Sequence, residues 1–332
     1  MSERPDVLVL GAQGVLGTFV AKALSDKYEV VRAGRRPSDG PGFRLVDLRD
    51  QAAVSAACAS AKLVINCVRD ERLAAERTVL AEGGRLVNVS NLSAADRARL
   101  KESDVDARGL VALHGGLTPG INSVVAADLL ARHPDADEVR LVMTFSLNES
   151  GGPQAVGEFA YPMLTSRGRH PTDTFALAAP YGVRRCMAVG DAASGAFGEA
   201  AAGRTASVSY CFLENWFHRF LLGLNSAGML KLLPKFLFTA GLKVPEELTT
   251  EAKCDRVEVR RDGRLLAARL VRGIGDYRLT VAGTVAFAEA LLESSTPATG
   301  AFGVEELFSF GDLRPRFESG GVTFEDVAPT AG

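Results

Sequence analysis

The chain has one tryptophan, four histidines and five cysteines among its 332 residues, and each shortage narrows the chemistry open to it. The cysteines (Cys58, Cys67, Cys186, Cys211, Cys254) are scattered and odd in number, and no two have the short spacing that holds zinc or a redox disulfide. They read as reduced, small hydrophobic side chains. The histidines (His114, His133, His170, His218) include no pair at helical spacing, so no metal site is expected and catalysis is expected to be metal-free. Net charge is scarce as well. With 38 basic and 40 acidic residues the formal charge is −2, and without a basic stripe nucleic acid is excluded as an expected partner. Long apolar runs are missing too. The longest uncharged stretch of the Leu- and Phe-rich segment, Phe220 to Leu230, is too short to span a bilayer, so no stable membrane insertion is expected. The opening residues MSERPDVLVLGAQG leave no room for a cleavable leader before the first strand, which predicts a cytoplasmic protein. Neither internal repeats nor low-complexity linkers interrupt the chain, and its length suits two domains.

What is present begins at Asp6. The apolar run DVLVL is followed by Gly11, Gly14 and Gly17 and then by FVAKAL, apolar at helical spacing, which predicts strand, tight turn and helix. The three glycines answer different physical needs. Gly11 makes the turn, Gly14 lets the backbone approach a pyrophosphate, and Gly17 lets the helix pack on the strand. Gln13, Val15 and Leu16 complete the turn and bring the free N–H groups of the helix start toward the anion. Further β-rich runs follow: EVVRA, FRLV, LVINCV, RLVNV and LVALH. Alanine-rich helical stretches separate most of them, one with Ser93 as N-cap and Asp96 three residues on. This succession predicts an α/β fold with a doubly wound parallel sheet of the Rossmann type, its ligand at the carboxyl ends of the strands.

The end of the second strand chooses the cofactor. A carboxylate there suits the ribose 2′-hydroxyl of NAD, whereas arginine suits the 2′-phosphate of NADP. Here Arg35 and Arg36 precede Ser38, and two guanidinium groups with a hydroxyl fit a phosphate dianion, so NADP(H) is the expected cofactor. The competing reading makes the arginines solvated loop charges and gives the ribose to Asp39. Asp47, after the third strand, either accepts from the adenine amino group or caps the next helix. Asn66 and Cys67, ending the fourth strand, are expected to line the groove through their backbone.

After the sixth strand the sequence His114-Gly-Gly-Leu-Thr-Pro-Gly-Ile-Asn breaks regular structure and leads into a new helix. Pro119 and Gly120 are expected to shape the nicotinamide side. His114 is the candidate for donating the proton or orienting the substrate, on the strength of an ordinary imidazole pKa, with a structural histidine as the alternative. Tyr161 is a second catalytic candidate, with a core aromatic as its alternative. Beyond lies a change of character: VRLVMTFSL alternates, Val183 to Val189 reads as a strand, and Asp262-Gly263 divides two β-runs as a hairpin turn, hence antiparallel sheet. The segment from Tyr210 to Leu242 reads either as packed helices or a dimer surface, or as a membrane-surface or lipid-substrate groove. A helix is expected from Leu279, and a loose tail from Val327.

The motifs VLVLGAQGVLG, LVINCV, GLTPGIN, SGGP at Ser150 to Pro153 and LTVAGTVAFAEALLES…GAFGVEELF together resemble the saccharopine dehydrogenase-like (saccharopine reductase) oxidoreductases. The similarity is good at both ends of the chain and poor from about Phe159 to Lys253. It implies a Rossmann domain over residues 1–122, onto which 278–332 returns, and a mixed α/β substrate and dimerisation domain with antiparallel strands over 123–277. It also implies a homodimer, a small-molecule substrate and hydride transfer from NAD(P)H to an imine or another polarised double bond. The middle of the chain lacks a recognisable set of arginines for substrate carboxylates, which argues against saccharopine itself. Two rival readings are a redox-neutral isomerase or cyclase with retained NAD(P), and a non-catalytic NADP(H) sensor.

Overall fold

In a computed structural model the first apolar run becomes an interior strand of a parallel sheet. The structure describes residues 5–38, 42–90, 92–102, 106–147, 161–189, 195–197, 199–235, 251–295 and 297–328. The elements, in chain order, are β1 (Val7–Leu10), α1 (Val15–Leu24), β2 (Val30–Gly34), β3 (Phe43–Leu45), α2 (Gln51–Ala59), β4 (Leu63–Asn66), α3 (Ala74–Glu82), β5 (Gly84–Asn88), α4 (Ala94–Lys101) and β6 (Gly109–Leu113). Then come α5 (Ile121–Arg132), β7 (Glu138–Phe145), α6 (Tyr161–Thr165), β8 (Thr172–Ala176), β9 (Val183–Ala188), β10 (Thr205–Phe212) and α7 (Asn215–Ala227). The chain closes with β11 (Ala252–Arg261), β12 (Arg264–Ile274), α8 (Asp276–Glu293), β13 (Gly300–Gly303), α9 (Val304–Leu307), α10 (Phe310–Ser319) and β14 (Thr323–Val327). It divides into two compact units, Met1–Ile121 with Thr280–Gly320, and Asn122–Leu279 with Gly321–Gly332.

The first unit holds a seven-stranded sheet in the order β13-β6-β5-β4-β1-β2-β3, and every pairing is parallel. Strands β1, β4 and β6 are buried along their whole length, which is why they read as unbroken apolar runs rather than as alternation. Strand order reverses between β1 and β4, and in such sheets the crevice beyond the carboxyl ends at the reversal is where ligands bind. Helix α4 begins with a capping box in which the Ser93 hydroxyl accepts from the Asp96 N–H and the Asp96 carboxylate accepts from the Ser93 N–H. Helix α2 is capped by Asp50, whose carboxylate accepts from the N–H groups of Ala52 and Ala53 at 3.0 and 3.2 Å. Asp47 is therefore not the cap of that helix.

The second unit carries a mixed sheet in the order β14-β12-β11-β7-β10-β9-β8, parallel only between β7 and β10. Its hairpin turns at Asp262 and Gly263 with φ of 50° and 75°, two successive left-handed residues of the kind that match strand twist. The C-terminal segment 278–332, expected to return as a whole to the Rossmann domain, is divided: Thr280–Gly320 groups with the first unit, and the residues from Gly321 with the second. Strand β14 pairs antiparallel with β12, and across that pairing Arg269 donates to the Asp326 carboxylate at 2.6 and 3.2 Å and Arg272 to Glu325 at 3.0 Å. Val327, where a loose tail was expected to begin, is the last residue of that strand.

Candidate functional site

The turn after β1 is built on three different glycine geometries. Gly11 has φ +78°, and a Cβ there would lie 2.5 Å from Val68 Cγ2. A Cβ on Gly17 would lie 2.3 Å from the Gly11 carbonyl oxygen, so the helix touches its own entry turn through bare backbone. At Gly14 the nearest atom to an added Cβ is the Gly11 oxygen at 3.4 Å, and nothing else comes within 4 Å. Gly14 is also the N-cap of α1 and contributes no side-chain cap, leaving the N–H groups of the first turn, at Val15, Leu16 and Gly17, for an outside acceptor. A tight turn, an open cradle and an uncapped helix start are what a pyrophosphate needs, so the residues present fit a dinucleotide.

Gln13 links this turn to the end of β2. Its amide donates to the Arg36 carbonyl at 2.9 Å and accepts from the Arg36 N–H at 3.3 Å. Gly34 leaves room for it, since a Cβ there would lie 2.6 Å from Gln13 Oε1. The backbone of Arg36 is thus held while Arg35, Arg36 and Ser38 stay exposed, and neither arginine has an ion pair among the described residues. Asp39 lies outside the described residues. Asp47 forms a local pair: its carboxylate accepts from the Arg49 N–H at 3.0 Å and from the Arg49 guanidinium at 2.7 Å. Those bonds, with a smaller contribution from the charge of Arg35, hold the Asp47 carboxyl down at about 2. The carboxylate expected to meet adenine is thus already engaged by Arg49.

The ends of β4 and β5 are tied together by a group that sequence reasoning missed. Glu76 on α3 is fully buried, and its Oε1 accepts from the side-chain amides of Asn66 at 2.7 Å and Asn88 at 2.5 Å. Burial pushes the Glu76 carboxyl above the ordinary range, against the opposing effect of those two amides. Asn66 also accepts from the Val68 N–H at 2.9 Å, and the Cys67 N–H donates to the Leu10 carbonyl at 3.1 Å. Cys67 is half-buried, and loss of solvent around its sulfur pushes the thiol up to about 12, so it is no thiolate.

The loop after β6 folds on itself. Gly120 has φ +139°, and a Cβ there would lie 2.0 Å from the Gly116 oxygen. Gly116 donates to the His114 carbonyl at 2.8 Å, and Thr284 donates to the Gly115 carbonyl at 2.7 Å. Pro119 and Gly120 are buried within this turn. His114 itself is 1% exposed with φ +70°, and neither ring nitrogen has a partner among the described residues. Burial, and secondarily the charge of Arg97, push its pKa down to about 3. The ordinary pKa on which its expected role as proton donor rested is not the one its surroundings give. Tyr161 belongs to the second unit, where its hydroxyl donates to the Leu233 carbonyl at 3.0 Å. Ser150 to Pro153 lie outside the described residues. Among the described residues no cluster of three or more His, Cys, Asp or Glu is placed to hold a metal.

Residues 7–102 match the sequence model of the NAD dependent epimerase/dehydratase family. No curated protein matches the chain by sequence. Among solved structures it is similar to saccharopine dehydrogenase (L-Glu forming) from Saccharomyces cerevisiae, with TM-score 0.61 and 12% identity over 98% of this chain and 100% of that one. The fold is saccharopine dehydrogenase-like. A DAP dehydrogenase from C. glutamicum in complex with DAP gives TM-score 0.51 and 14% identity over 94% and 96% of the two chains. An engineered D-amino acid dehydrogenase bound to NADP+ gives 0.52 and 14% over 94% and 97%.

The second unit of this saccharopine dehydrogenase-like fold contains a buried charged network. Asp255 on β11 accepts from the Thr144 N–H and the Asn122 amide, both at 2.9 Å, and lies 3.4 Å from the Lys253 ammonium. Lys253 donates to the Thr144 carbonyl at 2.5 Å, pairs with Asp276 at 2.8 Å and stands 4.8 Å over the Phe145 ring. Burial pushes the Asp255 carboxyl up, and the Lys253 charge opposes it. On the opposite face of the strand Arg256 and Glu258 form a second buried pair at 2.8 Å.

Proposed function

We propose that the protein is an NAD(P)-dependent oxidoreductase that prefers NADP(H) and reduces a polarised double bond of a small-molecule substrate, foremost an imine formed between an amine and a carbonyl compound. The observation that carries the reading is the pairing of the open Gly14 cradle at an uncapped helix with two exposed arginines, fixed by Gln13, at the end of β2. Gly14 and the first turn of α1 receive the pyrophosphate. Arg35, Arg36 and Ser38 receive the 2′-phosphate in a planar, charge-assisted fork. Asn66 and Cys67 border the groove through backbone that Glu76 and β1 hold in place, while Pro119 and Gly120 shape the nicotinamide side. The bound nicotinamide supplies the hydride. His114, neutral at physiological pH, offers one hydrogen-bond donor and one acceptor and leaves the proton to come from solvent or substrate. The amino-acid dehydrogenases of similar fold support an amine-derived substrate, and the NADP+ bound to one of them supports the cofactor. A cytoplasmic homodimer belongs to the same reading.

Calorimetric titration with NADPH and NADH, for the wild type and Arg35→Ala, tests this proposal. NADPH is expected to bind more tightly, and Arg35→Ala to weaken NADPH by roughly 10- to 100-fold, the worth of one charge-assisted contact, with NADH unchanged. Equal binding of the two by the wild type refutes the preference for NADP(H). Binding of neither refutes the oxidoreductase. Turnover follows from NADPH oxidation with a panel of imines, enones and ketones, and binding without turnover on any of them would leave a redox-neutral enzyme or a sensor.

A further inference from the structure

Helix α7 is amphipathic in the inverted sense. Its buried residues are His218, Leu221 and Asn225, two of them polar and both satisfied inside the second unit. His218 Nε2 pairs with the Arg185 carbonyl at 2.8 Å, while Asn225 donates to the His170 carbonyl at 3.0 Å and accepts from the His170 N–H at 2.6 Å. The large apolar side chains face the other way. Trp216 is 69% exposed and Phe220 48%, and just beyond the helix Met229 is 43% exposed and Leu232 71%. Single exposed apolar residues are ordinary, but four within seventeen residues concentrate apolar surface on this part of the second unit.

The two stretches that carry and flank that face hold charges of one sign, and the acids next to them, Glu214 and Asp173, are tied to Ser146 and Leu147 and to Arg140. The stretch 215–235 contains no Asp or Glu, and neither does 161–171, which packs beside it through Leu230 N–H to the Gly168 carbonyl at 3.3 Å and Arg169 to the Ser226 carbonyl. Together the two stretches carry Arg167, Arg169, Arg219, Lys231 and Lys235. Arg219 and Lys231 are exposed and have no ion pair among the described residues. An indole, a phenyl ring and aliphatic side chains within a cationic rim have the composition of a helix that lies in the plane of a membrane interface.

We propose that this face, Trp216, Phe220, Met229 and Leu232 with Arg219 and Lys231, docks the protein on the surface of an anionic lipid bilayer. The 13 residues of α7 give a rod of about 20 Å that lies along the interface. No helix among the described residues is long and apolar enough to cross a membrane, so the attachment is peripheral. A second copy of the chain is the poorer occupant. A two-fold interface sets the same patch against itself and would bring the cations of both copies together with no acid among the described residues of either stretch to separate them.

The test is helped by Trp216 being the single tryptophan of the chain, so selectively excited tryptophan emission reports this face alone. Vesicles of phosphatidylcholine, and of phosphatidylcholine with about one third phosphatidylglycerol, are added to the full chain at low salt, and flotation is measured in parallel. Blue-shifted, brighter emission and co-flotation are expected with the anionic vesicles, reversed by salt. The double variant Arg219→Glu, Lys231→Glu is expected to lower partitioning at least 25-fold, at roughly five-fold per cation lost near the surface. Phe220→Ser with Leu232→Ser is expected to lower it by at least about ten-fold with the cations intact. An unchanged thermal melt shows that each variant is folded. Absence of a shift and of flotation with anionic vesicles overturns the proposal. So does a blue-shifted emission without lipid that reverts on dilution, because a second copy then covers the face.

Discussion

The burial of His114 makes the acid stability of the first unit a quantity that can be worked out. Its pKa is pushed from 6.5 down to about 3, by burial first and by the charge of Arg97 second. Between those values the unfolded chain binds a proton that the folded chain does not, so stability falls as pH falls through that window, with nothing lost above it and nothing more below it. With those two values, linkage costs the folded state about 2 kcal/mol at pH 5 and almost nothing at pH 7. Glu76 and Asp255 act in the opposite sense. Their carboxyls are raised above 4.5 and 3.8, so the folded chain keeps protons that the unfolded chain has released, and their contribution strengthens as pH falls toward those ordinary values. A variant that removes only His114 isolates its part, because the carboxyls are common to both proteins. Asn is the replacement of choice, since it tolerates the φ of +70° and does not titrate. Urea unfolding of the wild type and His114→Asn at pH 7 and pH 5, followed by far-ultraviolet circular dichroism, is expected to show the wild type losing about 2 kcal/mol more than the variant. Equal losses would refute the reasoning. So would a His114 ring resonance that titrates with an ordinary midpoint in the folded protein.

Gly14→Ala and Gly17→Ala are expected to separate binding from folding: Gly14→Ala keeps the melting temperature and weakens NADPH at least about ten-fold, while Gly17→Ala, with its Cβ 2.3 Å from the Gly11 oxygen, melts several degrees lower. Scanning calorimetry and cofactor titration of the two variants check this, and equal melting temperatures would show that the helix can move away from the turn. Gln13→Ala removes both bonds to the Arg36 backbone and is expected to weaken NADPH more than NADH, by about three- to ten-fold. Equal weakening would mean that Gln13 serves the pyrophosphate rather than the arginine turn. Asp255→Ala leaves the Asn122 amide and the Thr144 N–H without their acceptor and Lys253 with one carboxylate fewer, and is expected to cost about 3–5 kcal/mol by urea unfolding. A loss below about 1 kcal/mol would show that the network is solvated.

The first unit was legible because parallel strands covered on both faces leave apolar runs, and because the glycine spacing has one physical use at a strand-to-helix turn. The capping box of Ser93 and Asp96 and the hairpin turn at Asp262 could be read for the same reason: each is set by residues close in sequence. What could not be read was set by distant partners. Glu76 sits in a helical stretch where a carboxylate suggests solvent, and only the side chains of Asn66 and Asn88, at the ends of two strands, make it interior. The hairpin at Asp262 is legible but not the burial of Lys253, Asp255, Arg256 and Glu258, because β11 is an interior strand between β12 and β7 and their partners come from α5, β7, α8 and β8. Tyr161 was singled out by its place after a turn, and its hydroxyl is engaged by a carbonyl 72 residues away. Strands β8, β10 and β14 mix polar and apolar residues without clean alternation, and Pro315 hid α10, whose start is capped by the Ser309 hydroxyl.

The edge of the parallel sheet beside β6 is completed by β13, whose residues, Gly300–Gly303, come from near the far end of the chain. During synthesis, therefore, the strands of the first unit emerge early but cannot close. At roughly 5–20 residues per second the backbone of β6 waits on the order of tens of seconds for its neighbour, with its hydrogen-bonding groups open to other chains. The mixed sheet is completed later still, because its edge strand β14 follows β13 in the chain, although β12 waits for it through a much shorter stretch. A chain terminated before Gly300 would lack an edge strand in both sheets.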